Sequence, residues 1–380
     1  MKKFFTSESV TKGHPDKVSD QISDAILTES LKLDKDSKVA VEVAVKNNLV
    51  LVFGEISTNA NLDIEGIVRK TINDIGYNDD KFGFNGHNVR VIMELSKQSQ
   101  EIFEGVIKEE QGAGDQGIMF GYASNETKNY MPASLELAHM LAYRLTEVRE
   151  KGLVKGLRPD GKTQVTTVTE NGKIVSIDTI VVSSQHDEDL LLSDLETIIK
   201  EEVISAVIPS HLINKNTKIL INPAGSFSLG GPAADSGLTG RKIIVDTFGG
   251  YAAHGGGAFS GKDPSKVDRS GAYMMRYLAK NIVAANLADQ IEIQVAYAIG
   301  VAEPVSLSID TFGTNHVSEQ LILETIKANF DLRPKAIIEK LKLTEQNYLK
   351  TAAYGHFGFN TKEYPWEQLD SIEIFKKVSK

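Results

Sequence analysis

Gly255-Gly256-Gly257-Ala258-Phe259-Ser260-Gly261-Lys262-Asp263-Pro264-Ser265-Lys266-Val267-Asp268-Arg269-Ser270 brings four glycines, two lysines and a helix-start signal into sixteen residues. Glycines let the backbone bend where a Cβ would clash and let its N–H groups approach an anion closely. Asp263 is a natural N-cap and Pro264 a natural first helical residue, so the spacing predicts a helix from Pro264 to about Asn286. A glycine loop feeding a helix N-terminus is anion-binding geometry, here flanked by Lys262 and Lys266. Asp268, one turn in, can hold a cation that neutralises a polyphosphate. The alternative is a surface loop made flexible by glycine. Gly256 to Asp263 nearly spells a P-loop, but Asp263 stands where the magnesium-binding hydroxyl belongs. His254-Gly255-Gly256-Gly257 resembles an oxyanion-hole motif, yet the chain has no Gly-x-Ser-x-Gly elbow to serve it.

Just upstream, Gly240-Arg241-Lys242 adds two cations before an expected strand at Ile243 to Val245, and Asp235 adds an acid. Asn222 to Pro232 is another glycine and proline loop, in which Phe227 is either a stacking platform for a base or buried core. The same mixture recurs near the start of the chain. Gly13-His14-Pro15-Asp16-Lys17 opens a helix whose apolar stripe is Val18, Ile22, Ala25 and Ile26. Asp16, Asp20 and Asp24 stack at i, i+4 and i+8, where like charges repel unless solvent or a cation screens them. Asp16, beside His14 and Lys17, reads as a metal ligand; Asp20 and Asp24 read as a solvated face. Asp115 lies among the glycines of Gln111 to Gly117, either near a ligand or simply in a turn. Lys162 follows the Pro159-Asp160-Gly161 turn, which does not explain it.

The 380 residues suffice for two or three domains, and 41% hydrophobic content can fill their cores. No apolar run reaches a membrane span, and the N-terminal residues turn polar at Thr6, so a cytoplasmic protein is expected. Zero cysteines exclude disulfides, thiolate metal sites and thiol catalysis. A net charge of −9 argues against nucleic acid as a partner, so an anionic ligand must be held by a local basic pocket.

Val39 to Ile56 reads as a hairpin turning at Asn47-Asn48, followed by a helix over Leu62 to Ile75. Val165 to Val182 is a second hairpin, turning at Asn171-Gly172, with a helix from about Ser193 to Val207. Ile291 to Ile309 is a third, turning near Glu303-Pro304, with a helix from about Ser318 to Phe330. Three such units predict an α+β class: three similar strand–strand–helix domains, at 3–101, 111–231 and 233–371, with helices on one face of each sheet. Glu42 and Glu55 fall on the first hairpin, where Glu42 either faces solvent or serves a ligand. Ser96 to Gln111, with Gln98 at its start, reads as a mobile segment or lid. The aromatic tail around Tyr354, Phe357 and Trp366 reads as packing.

Taken in order, Gly13-His-Pro-Asp-Lys17, Gly112-Ala-Gly-Asp-Gln-Gly117, Gly237-Leu-Thr-Gly-Arg-Lys242 and Gly255 to Asp263 resemble the S-adenosylmethionine synthase (methionine adenosyltransferase) family. The likeness runs from Phe4 to about Trp366. It implies domains related by a pseudo-threefold axis and active sites shared across a homodimer, often paired into a tetramer. It also implies ATP and L-methionine as substrates, with two magnesium ions per site and potassium. The sulfur would attack C5′ of ATP, and the expelled triphosphate would be cleaved to phosphate and pyrophosphate. By the same resemblance His14 lies by the triphosphate and the departing oxygen, and Lys162, Arg241, Lys242 and Lys262 grip phosphates. Asp16 and Asp268 hold magnesium, and Glu42 holds potassium. Asp115, Asp160, Gly161, Ser226, Phe227, Asp235 and Ala258 surround the nucleotide; Glu55, Gln98, Asp235 and Lys266 bind methionine. The chain departs from the family's common Asn-Pro-Thr-Gly-Arg-Phe in reading Asn222-Pro-Ala-Gly-Ser-Phe227, and Ser226 supplies no guanidinium. Its segment between Gln98 and Gly112 is also shorter than in some members. Two other classes fit the glycine loop alone: a phosphotransferase releasing ADP or AMP, and a non-catalytic nucleotide-binding protein.

Overall fold

All three expected hairpins form, each in its own sheet. The structure, a computed structural model, describes residues 2–97 and 112–378. The first hairpin pairs β2 (Lys38–Lys46) with β3 (Leu49–Ser57). The second pairs β6 (Leu157–Glu170) with β7 (Lys173–His186), and the third β10 (Gln290–Tyr297) with β11 (Ser306–Asp310). At the second turn Asn171 and Gly172 adopt φ of 50° and 76°, the double positive φ that suits a two-residue hairpin loop. Helices α2 (Ile64–Ile75), α4 (Leu192–Ile198) and α6 (Glu319–Asn329) follow their hairpins as expected, and α4 continues through a π turn over Ile199–Ile204.

The sheets are completed by strands from other thirds of the chain. β1 (Lys3–Val10) pairs antiparallel with β6, β5 (Gly117–Ser124) with β10, and β9 (Gly237–Leu238) with β2. On the far edges β4 (Arg90–Ser96) adds parallel to β3 and β8 (Lys218–Ile221) parallel to β7. The exchange is cyclic, with each third lending its first strand to another. After each lent strand comes a long helix: α1 (Pro15–Leu33), α3 (Ala133–Glu150) and α5 (Val267–Ala284). Helices α1 and α5 are buried on nearly every side. Polar side chains on such helices need partners inside the protein.

That burial overturns one expectation. Asp20 and Asp24 do not face water; both are fully buried, paired with Lys17 and Arg269 at 3.0 and 2.8 Å. One boundary and one element type also differ. α5 starts at Val267 rather than Pro264: Asp263 caps only the single turn before it, its Oδ1 accepting the Ser265 N–H at 2.9 Å, and is also tied to β2. It accepts the N–H of Val39 at 2.8 Å and donates its own to Val39 O at 3.0 Å, while Lys262 bridges to Ala40. Ile243–Asp246 is a helical turn rather than a strand. The aromatic tail is core, as expected: Trp366 is fully buried and stacks on Tyr273 with centroids 4.1 Å apart.

Candidate functional site

The N-terminus of α1 gathers the first group of expected residues. His14 is the N-cap and accepts the Asp16 N–H at Nδ1, 3.2 Å away. Asp16 is 1% exposed; Lys242 Nζ donates to it at 2.6 Å, the Leu238 N–H at 3.1 Å, and Arg241 Nε stands 3.6 Å off. Burial raises the Asp16 pKa, but the hydrogen bond and charge of Lys242 outweigh it and hold the carboxyl below its usual range. Burial, with Lys242 and Lys162 adding to it against Asp16, pulls His14 down to about 3, so its imidazole is neutral at physiological pH. Lys162 is exposed on β6, opposite Val10 of β1, and Gly161 O accepts the Thr11 N–H at 3.0 Å.

Asp160 is buried beside them. Its Oδ2 accepts the Gly231 N–H at 2.8 Å, while Oδ1 has no hydrogen-bond partner among the described residues, and burial pushes its pKa up to about 6. A buried carboxylate oxygen without a donor is costly in isolation and is suited to receiving one from a ligand. Asp235 and Ser226 are exposed nearby in sequence to Gly231 and Phe227. Phe227 is half-buried, its backbone exchanging two hydrogen bonds with His186: N–H to Nε2 at 3.1 Å, and O from the His186 N–H at 3.0 Å. Nothing in the sequence marked His186 for that role.

A second group forms around the glycine run. Lys262 Nζ donates to Asp268 Oδ2 at 2.6 Å, and Lys266 Nζ to Asp263 Oδ2 at 2.7 Å. A Cβ on Gly257 would lie 2.1 Å from Asp268 Oδ1, so only glycine lets this backbone lie against the carboxylate. His254 Nδ1 accepts the Gly256 N–H at 2.8 Å and shapes the loop, a role hidden by reading the motif only as an oxyanion hole. Asp115 is exposed and accepts the Gln116 N–H at 2.8 Å. Glu55 pairs with Ala40, which bridges on its other side to Lys262, so the three backbones lie in one row. Glu42, two residues along β2, is exposed and offers a single carboxylate. Gln98 lies outside the described residues, as does the expected lid from there to Gln111.

The two groups sit at different heights on β2. Leu238, which serves Asp16, is opposite Ala44, whereas Lys262 is opposite Ala40. Four residues of strand separate them by roughly 13 Å. Ala258 joins their loops, since a Cβ on Gly240 would lie 2.5 Å from the Ala258 Cβ. Among the described residues no three His, Cys, Asp or Glu side chains converge as a metal cage. The single carboxylates Asp16 and Asp268, each beside lysine, fit magnesium that takes its other ligands from phosphate and water.

Three family models match the chain in sequence order: the N-terminal domain of S-adenosylmethionine synthetase over residues 2–100, its central domain over 110–227 and its C-terminal domain over 229–368. An S-adenosylmethionine synthase from Clostridium tetani (strain Massachusetts / E88) is 53% identical over 390 residues, covering 100% of both chains.

Proposed function

The chain belongs to the S-adenosylmethionine synthetase family and forms S-adenosylmethionine from ATP and methionine; on that premise we propose how its residues perform the reaction. The methionine sulfur attacks C5′ of ATP and expels the whole triphosphate, which the same site cleaves to phosphate and pyrophosphate. A thioether has no proton to lose, so this step needs no general base; it needs orientation and a sink for the charge of the leaving group. Lys162, Arg241, Lys242 and Lys262 supply that sink. The neutral His14 hydrogen-bonds at the departing oxygen without adding charge.

The observation that carries this reading is the pairing of Lys242 with Asp16 and of Lys262 with Asp268. Both of these lysines, expected phosphate ligands, already neutralise an expected metal ligand. Both partners can therefore transfer to a magnesium polyphosphate without leaving a charge uncompensated. The family uses a divalent metal and potassium; we place two magnesium ions at Asp16 and Asp268 and potassium at Glu42. Bound magnesium would neutralise the developing triphosphate charge. The free Oδ1 of Asp160 takes a donor from the nucleoside, with Gly161, Ser226, Phe227, Ala258 and Asp115 lining it. Glu55, Gln98, Asp235 and Lys266 receive methionine, acids to its ammonium and lysine to its carboxylate.

The roughly 13 Å between the two groups favours sites assembled across a homodimer, one group from each copy. The outer face of the β2–β3–β4 sheet supports this: Ala44, Leu51 and Ile92 form one register row and Phe53 the next, all half-exposed. Such apolar rows favour burial against a second copy. A pair of dimers would give the tetramer. The cyclic strand exchange supports a pseudo-threefold relation of domains 3–101, 111–231 and 233–371. No described helix is long and apolar enough to cross a membrane, and cytoplasmic residence with no nucleic-acid partner is the corresponding proposal.

The test is to incubate the protein with ATP, methionine, magnesium and potassium and to identify the products by mass spectrometry. S-Adenosylmethionine with equal phosphate and pyrophosphate is expected. ADP or AMP without a sulfonium product would overturn the mechanism in favour of phosphoryl transfer.

A further inference from the structure

One face of α1 carries Asp16, Asp20 and Asp24 a turn apart, and each accepts a backbone N–H from a loop that bears phosphate-binding cations. Leu238 donates to Asp16 Oδ1 at 3.1 Å, Gly240 to Asp20 Oδ1 at 2.8 Å, and Gly261 to Asp24 Oδ1 at 2.9 Å. Asp16 also touches the cations themselves. Asp20 and Asp24 touch none of Arg241, Lys242 or Lys262 through side chains, yet each holds the peptide next to one of them.

The holds are reinforced differently. The other oxygen of Asp20 accepts Lys17 Nζ at 3.0 Å, and Lys17 also donates to Asp246, at the end of the helical turn that follows Lys242. Ser23 Oγ meets Thr239 Oγ1 at 2.6 Å, and Thr239 Oγ1 accepts the Val43 N–H at 2.9 Å. The segment carrying Arg241 and Lys242 is thus pinned to α1 on both sides. Asp24 is gripped by Arg269 through Nη1 and Nη2, both at 2.8 Å, and Nη1 also donates to Lys262 O at 3.1 Å. The Gly261-Lys262 pair is therefore held at both ends, by the Gly261 N–H on Asp24 and by the Lys262 carbonyl on Arg269. Charge-assisted bonds of this kind are about twice as strong as neutral ones, and fully buried they have no water to compete with.

We propose that Asp20 and Asp24 are positioning residues for adenosyl transfer: Asp20 acts through the Gly240 loop on Arg241 and Lys242, and Asp24 acts through the Gly261 loop on Lys262. One helix thus steadies both groups of cations, each for the site to which it contributes. The inference rests on the phosphate roles proposed above for those three cations. A rigid helix is a better ruler than glycine loops, whose backbone has the greatest freedom to drift.

The experiment is a pair of double-mutant cycles in kcat. Asp20→Asn keeps an oxygen for Gly240 but removes the charge shared with Lys17. It is expected to lower kcat roughly tenfold to a hundredfold, as sub-ångström misplacement does, with KM for methionine within about twofold. In a Lys242→Met background the same change should cost little more, whereas in Lys262→Met it should cost in full. Asp24→Asn should show the mirror pattern. Costs that add fully in both backgrounds, or an unchanged kcat in the folded single variants, would overturn the proposal. Should either Asn variant fail to fold, Ser23→Ala or Thr351→Val takes its place in the same cycle, Thr351 being the hydroxyl that meets Arg269 Nη2 at 3.3 Å. If Lys242→Met and Lys262→Met themselves left kcat unchanged, the phosphate roles would fail first and the positioning roles with them.

Discussion

The protein contains two kinds of ion pair within a few residues of each other, and they serve opposite ends. Lys262 with Asp268 is 28% and 22% exposed, and Lys242 reaches Asp16 with 19% of its side chain open to solvent. Lys17 with Asp20 and Arg269 with Asp24 are wholly sealed. An open pair can exchange its partners for a ligand and its counter-ion. A sealed pair has nothing to exchange with, and breaking it strands a charge in a low-dielectric interior. The same residue type on one helix face thus sits in a half-open pair at Asp16 and in sealed pairs one and two turns later.

The largest effect that separates the two kinds is expected from Asp24→Ala. Removing one side of a buried pair destabilises by about 3–5 kcal/mol, because Arg269 is left charged and unpaired. Urea unfolding should show this directly; a loss below about 1 kcal/mol would mean the pair is not sealed in solution. Lys262→Met should do the reverse. Turnover is expected to fall on the order of a hundredfold, while the unfolding midpoint barely moves, since a half-open pair is worth about 1 kcal/mol at most. A large drop in stability without loss of rate would reverse the assignment of these pairs.

The third test uses pH. The sealed cluster holds Asp20, Asp24 and Asp246 against Lys17 and Arg269, with His356 Nε2 3.8 Å from Asp246. Burial pushes Asp246 up to about 7, against the opposing charge of Lys17, and burial keeps His356 neutral, well below its usual value. Folded Asp246 therefore keeps a proton that the unfolded chain releases near pH 4. Its contribution to stability is complete below that pH and is lost as pH rises through about 7. The melting temperature should decline over that window by a few degrees more in the wild type than in Asp246→Asn. Equal slopes would place the retained proton elsewhere. The smallest effect should come from adding to the open set. Ser226→Arg, at an exposed position, should lower KM for ATP by about threefold with no change in melting temperature. An unchanged KM would show that the guanidinium common at this place in the family does not reach the nucleotide here.

The sequence made much of this visible. Period-two runs around Asn171-Gly172 and its counterparts marked the hairpins. The glycine motifs pointed to a polyphosphate site, and the fold sets Asp16 beside Lys242 and Asp268 beside Lys262. What it concealed was the environment of those motifs. Asp263 looks like a helix cap because Pro264 follows it, and it does cap one turn, yet it also binds β2 and the long helix begins only at Val267. Asp20 and Asp24 look solvated because like charges at helical spacing ordinarily are.

Turns and strand alternation depend on residues within a few positions, so the chain alone determined its three hairpin units and its inventory of cations and carboxylates. Which strand completes which sheet, and which aspartates are buried, depended on contacts between distant segments. Gly240 reaches Asp20 across 220 residues and Gly261 reaches Asp24 across 237. No local pattern encodes such a meeting, because the desolvation that turns a surface carboxylate into an anchor exists only once the loops have folded over it.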